Sequence, residues 1–194
     1  MANDHPARGD RTAVLVIDML NPYDHEDADK LAASAAESVP ATRRLIERAR
    51  GEGVLLVYVN DNYGDWNTSA SELAERALNG RHPELVEPLL PIGEAPFVTK
   101  ARHSAFYATL LEYLLESEGV GRLVMTGQAT EQCILYSALD AYVRHFHVTV
   151  PRDAVAHIHE HLARPALEMM ERNMHAEITS SDGTRLVTEN ERRP

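Results

Sequence analysis

Short apolar runs alternating with longer helical patterns predict an α/β domain: a three-layer α/β/α arrangement around a six-stranded, mostly parallel sheet. Three observations carry this. The first run, Thr12-Ala-Val-Leu-Val-Ile-Asp18, is apolar along its length rather than at alternate residues, as burial on both faces of a strand requires. The runs are separated by amphipathic stretches long enough to be crossover helices. The chain of 194 residues suits one domain with a substantial core.

The elements follow in order. After the first strand, 12–18, an amphipathic helix is expected from about Ala36 to Arg50, ended by Gly51 and Gly53. Residues 54–60 form a second strand, followed by a polar stretch, 61–68, and a helix through 71–78. The segment 79–96 carries four prolines and reads as an irregular excursion. A short third strand, 96–100, precedes a helix from His103 to Glu116. Residues 123–126 make the fourth strand, with a helix from Cys133 to His145 after it. A fifth strand at 146–150, a helix at 163–173 and a sixth strand at 175–179 complete the pattern. Residues 1–11 are expected to be a flexible tail, 12–182 the domain, and 183–194 a fraying polar tail.

Charge and cysteine usage exclude several classes of function. A net charge of -11 argues against nucleic acid and against an anionic membrane surface, both of which call for a basic footprint. No apolar run approaches the roughly 20 residues of a membrane span. The first ten residues are polar and hold no secretory core. The single cysteine, Cys133, rules out an intramolecular disulfide and fits a reducing compartment, so a cytoplasmic protein is expected.

In open parallel sheets, ligands bind beyond the carboxyl ends of the strands. Three reactive residues fall there: Asp18 after the first strand, Lys100 after the third and Cys133 after the fourth. Read singly, Asp18 is a turn cap, Lys100 a solvated strand end, and Cys133 a small core residue. Read together, they form a catalytic set. Cys133 opens a helix, where the dipole favours the thiolate, the form that attacks carbon. Asp18 accepts the thiol proton, and Lys100 stabilises thiolate and carboxylate alike. No histidine is placed in these loops as obviously, which makes a Cys–His pair the lesser reading.

The segments around these residues carry a resemblance. Val16-Ile-Asp18-Met-Leu-Asn-Pro-Tyr23, Phe97-Val-Thr-Lys100-Ala-Arg-His-Ser-Ala-Phe106 and Thr126-Gly-Gln-Ala-Thr-Glu-Gln-Cys133 resemble the isochorismatase-like cysteine hydrolases. Ser137-Ala-Leu-Asp-Ala141, Arg152-Asp-Ala-Val155 and Ala166-Leu-Glu-Met-Met-Glu-Arg-Asn173 match in the same order and spacing, so the resemblance runs from about Thr12 to Ser181. It implies an Asp18–Lys100–Cys133 triad whose thiolate attacks a carboxamide carbonyl, releases ammonia or an amine, and leaves a thioester for water to hydrolyse. It also implies a cis peptide between Gln128 and Ala129, and an oxyanion hole made by the backbone N–H groups of Ala129 and Cys133. A small molecule is then the partner, with no cofactor, and assembly as a homodimer or homotetramer is expected.

The departures from the pattern narrow the reading. Leu20 stands where the family often has Gln, and Gln128 where an aliphatic residue usually precedes the cis bond. Nicotinamidases of the family carry an Asp-x-His metal motif after the second strand; Asn60-Asp-Asn-Tyr-Gly-Asp-Trp66 lacks it, so no metal is expected. Isochorismatases proper cleave a vinyl ether and generally lack the cysteine, so Cys133 favours C–N hydrolysis. His157-Ile-His-Glu-His161 tempts as a metal site, but only the first and last of its histidines share a helical face. The resemblance implies that this segment is the solvent-facing start of a helix. Of the aromatic candidates for the pocket wall (Tyr63, Phe106, Tyr107 and Tyr136 among them), Tyr23 and Trp66 are the two expected there, with Gln128 beside them. Asp61, Asp65 and Glu131 are candidates to hold a cationic group of the substrate.

Overall fold

A computed structural model describes residues 8–91, 93 and 95–187. Among the described residues, seven strands form one sheet: β1 (Arg11–Ile17), β2 (Leu55–Asp61), β3 (Phe97–Lys100), β4 (Val120–Gln128), β5 (His147–Pro151), β6 (Val155–Ala156) and β7 (Glu177–Thr179). All pairings are parallel, in the order β3-β2-β1-β4-β5-β7, with β6 paired to the end of β4. The six expected strands are present, and β6 is the addition. It is only two residues long, too short to leave a pattern in the sequence.

The central strand explains the layers. Val14 and Val16 of β1 pack into one apolar cluster, while Ala13, Leu15 and Ile17 pack into a second on the opposite face. The first cluster is roofed by α1 (Ala28–Gly51), α2 (Ala70–Leu78) and α3 (Pro83–Val86). The second lies under α4 (Leu111–Ser117), α5 (Leu135–Val143) and α6 (Glu160–Met174). The chain proceeds from β1 to β2 and β3 on one side, then crosses to β4 on the other. The crevice at the carboxyl ends of β1 and β4 is therefore the topological switch point.

Four expectations are corrected. The first helix begins at Ala28, not about Ala36, because Ala28, Leu31, Ala32 and Ala35 bury one face of its early turns. The helix expected from His103 begins only at Leu111. Side chains take the backbone groups that a helix would use there: the Ser104 hydroxyl accepts from the Phe106 N–H, and Thr109 donates to the Ala105 carbonyl while accepting from the Leu111 N–H. The expected Cys133 helix starts instead as a wide π-helical turn, 130–134, in which the Ile134 N–H reaches back to the Ala129 carbonyl (3.1 Å).

The fourth correction concerns the chain ends. The Arg8 guanidinium lies 3.8 Å from the Phe146 ring centre and pairs with Glu112 and Glu116, so residues 8–11 are tied down rather than loose. Thr184 and Leu186 are buried, and Arg48 donates to the carbonyls of Ser181 and Thr184, which secures the chain beyond 183. The remainder of the two expected tails, 1–7 and 188–194, lies outside the described residues.

Candidate active site

Asp18, Lys100 and Cys133 meet in the switch-point crevice. Asp18 leaves β1 in the left-handed region, at φ 56°, with its N–H bonded to the Val59 carbonyl of β2 (2.8 Å). This turn aims the carboxylate along the sheet edge. One of its oxygens accepts the Asp61 N–H (2.8 Å), and the other lies 2.8 Å from Lys100 Nζ. The Lys100 side chain is fully buried at the end of β3, and its ammonium also faces Cys133 Sγ at 3.6 Å and Asp61 at 3.6 Å. The charge of the Asp18 carboxylate also acts on the thiol.

Electrostatics divide the roles. Burial pushes the Asp18 carboxyl up against the opposing pull of Lys100, which raises its affinity for a proton. Burial alone would pull Lys100 down, but Asp18, Cys133 and Asp61 outweigh it and hold it ionised. Burial, then the charge of Asp18, pushes the Cys133 thiol up, with Lys100 opposing. The expectation of a dipole-favoured thiolate is thus corrected. The thiol keeps its proton at rest, and an adjacent carboxylate is placed to receive it.

A cavity of about 370 Å³ opens here, lined by Asp18, Lys100, Gln128, Ala129, Gln132 and Cys133 among others. A larger one of about 730 Å³ adjoins it and shares Asp61, Tyr63 and Lys100; Trp66, Arg102 and His103 also line it. The Gln128–Ala129 peptide is cis. Gly127 bonds the Ala154 carbonyl, and Thr130 bonds that of Ala156, so β6 braces the turn that carries Ala129 and Cys133.

The other candidates separate. Trp66 is 81% exposed on the larger cavity. Tyr23 does not line either cavity, a correction: it is fully buried, its hydroxyl donating to Gln128 Oε1 (3.2 Å). The Gln128 amide in turn donates to the Asp18 carbonyl (2.8 Å), so Tyr23 acts by fixing Gln128 from behind. Leu20 is buried in the core, its backbone N–H held by the Asn60 side chain. Asp61 supports Lys100 and Asp18 rather than standing free for a substrate cation. Glu131 accepts the N–H groups of Ile158 and His159 ahead of α6. His157 bonds Ser34, and among the described residues no three His, Cys, Asp or Glu side chains are grouped to hold a metal ion.

Sequence reasoning missed His103. Its Nδ1 lies 3.7 Å from Cys133 Sγ, and its ring stacks on Tyr136 at 5.5 Å. The spacing Lys100-x-x-His103 was visible, but the expected helix would have carried the imidazole away from the strand end.

Residues 12–183 match the family model described as the isochorismatase domain. The chain belongs to the isochorismatase family. It is 34% identical to an uncharacterized isochorismatase family protein, YaaI, of Bacillus subtilis, over 88% of this chain and 94% of that one. It is 30% identical to maleamate amidohydrolase of Pseudomonas putida, over 78% and 75% respectively. Among solved isochorismatase-fold structures, N-carbamoylsarcosine amidase from Thermoplasma acidophilum superposes with a TM-score of 0.70 and 26% identity, over 90% of this chain and 99% of that one.

Proposed function

We propose that this isochorismatase-family protein is a cysteine-dependent amidohydrolase, which cleaves a C–N bond of a small amide, lactam, ureido or carbamoyl substrate through a thioester. The observation that carries the reading is the Lys100 ammonium, placed 2.8 Å from Asp18 and 3.6 Å from Cys133 in the lining of a cavity. Asp18 takes the thiol proton as the sulfur attacks the carbonyl carbon, and Lys100 balances the charge of both partners. The N–H groups of Ala129 and Cys133 receive the developing oxyanion, an interaction worth about 10²–10³ in rate per donor. Gln128 and Trp66 border the substrate. Two relatives, named a maleamate amidohydrolase and an N-carbamoylsarcosine amidase, act on such bonds by their names.

The test is a panel of primary amides, lactams, ureides and carbamoyl compounds assayed for ammonia or amine release. The wild type turns over at least one of them, and Cys133→Ala turns over none while melting at the wild-type temperature. Release of pyruvate from a vinyl ether without amide turnover would instead make it an ether hydrolase.

The reading extends to assembly and place. The chain functions as a homodimer or homotetramer, supported by large apolar side chains left in the open, Leu110 at 77% and Tyr113 at 73%. It works in the cytoplasm, supported by its single cysteine; cell fractionation that recovers it elsewhere contradicts this.

A further inference from the structure

The larger cavity has hydrogen-bond donors in its wall that no acceptor of the protein takes up. Arg102 and Trp66 line it, and both are exposed. Among the described residues, neither the Arg102 guanidinium nor the Trp66 indole N–H has a hydrogen-bond or ion-pair partner. The carboxylates nearby are already engaged. Among the described residues of the lining, Asp61 is the one carboxylate; it accepts the Tyr63 N–H (2.7 Å) and faces Lys100 at 3.6 Å. Asp65 accepts the Asn67 N–H (3.0 Å). The smaller cavity has the opposite character. Asp18, Asp24 and Asp61 line it, and its lysine, Lys100, is held between Asp18 and Asp61. An anionic group is thus repelled from the smaller space and drawn to the larger. The larger space also reaches the nucleophile, because Lys100 and His103 in its lining approach Cys133 Sγ to 3.6 and 3.7 Å.

We infer that the substrate is an anionic amide, with a carboxylate a few bonds from the C–N bond, and that Arg102 binds this carboxylate in the larger cavity. This names the substrate class of the amidohydrolase reading above and rests on it. A guanidinium offers parallel N–H groups that a planar carboxylate accepts as a pair, a match that an ammonium does not reproduce. The Trp66 indole supplies an apolar wall for the carbon chain between carboxylate and amide. Anchoring the remote carboxylate orients the amide carbonyl toward the sulfur, which lowers the entropic cost of the attack. Arg102 also sets selectivity within a chain of net charge -11: a neutral amide gains nothing from it, and a cationic one is repelled.

Matched amides separate charge from shape. Ammonia release from the monoamides of malonic, succinic and glutaric acid is compared with release from the corresponding diamides. Wild type, Arg102→Gln and Arg102→Lys are assayed, with thermal melting as the control for folding. The wild type is expected to favour at least one monoamide over its diamide about tenfold in kcat/KM, the scale of a hydrogen bond to a charged group. Arg102→Gln is expected to erase that ratio through KM, and Arg102→Lys to keep part of it. Succinate, which has no C–N bond to break, reads the subsite without turnover. It is expected to change the fluorescence of Trp66, the chain's single tryptophan, saturably in wild type, with a dissociation constant about tenfold higher in Arg102→Gln. A ratio that Arg102→Gln leaves unchanged, or diamides turned over as readily as monoamides, overturns the inference and leaves the amidohydrolase reading standing. Succinate binding through Arg102 in a protein that releases ammonia from no amide keeps the anion subsite and overturns that reading instead.

Discussion

At Cys133 two neighbours of opposite charge compete for one thiol. Asp18 raises its proton affinity and Lys100 lowers it, so removing each has an opposite consequence. Replacing Asp18 by Asn leaves the ammonium of Lys100 alone beside the sulfur, which favours the thiolate. Alkylation of Cys133 by iodoacetamide at pH 7 is therefore expected to speed up in Asp18→Asn, while amide turnover collapses for want of a proton acceptor. Slower alkylation in the variant would contradict the assignment of Asp18. The pH profile has a definite sign as well. Asp18 accepts a proton only when ionised, and burial raises its pKa, so the acid limb of kcat/KM should lie above the ordinary carboxylate value of about 4. A limb at or below 4 would exclude Asp18 as the base.

At the scale of elements, the site depends on how closely β1 and β4 approach. Gly127 pairs with Ile17 across that seam, at φ +116°, and a Cβ on it would lie 2.0 Å from the Ile17 carbonyl oxygen. Gly127→Ala must push the two strands apart just where Asp18 and Cys133 leave them. A loss of about 2–4 kcal/mol in denaturant unfolding is expected, together with most of the turnover. An unchanged midpoint and rate would show that the seam tolerates the methyl group. The strands themselves were legible in the sequence because burial on both faces leaves long apolar runs. The segment 101–110 was not. Its shape comes from side-chain bonds of Ser104 and Thr109 to the backbone, and from the bond between the Ala105 N–H and the Ser137 hydroxyl, none of which has a period. His103 was hidden for that reason. Tyr23 was misplaced for another: its sequence neighbourhood put it near the site, but only packing shows that it stands behind Gln128.

At the scale of the whole molecule, the parallel sheet sets three residues from strands far apart in sequence at one crevice, and the strand ends alone foretold which three. On the surface, α4 and α5 leave Tyr113, Leu139 and Val143 exposed, which supports the proposed assembly. Light scattering is expected to give two or four times the 21.6 kDa chain mass; a single chain mass would count against the assembly. Acid-quenched mass spectrometry during turnover of the best amide reads the proposed thioester on Cys133 directly. A protein carrying the acyl mass on the Cys133 peptide is expected, absent in Cys133→Ala along with ammonia release. Continued ammonia release by Cys133→Ala would contradict it.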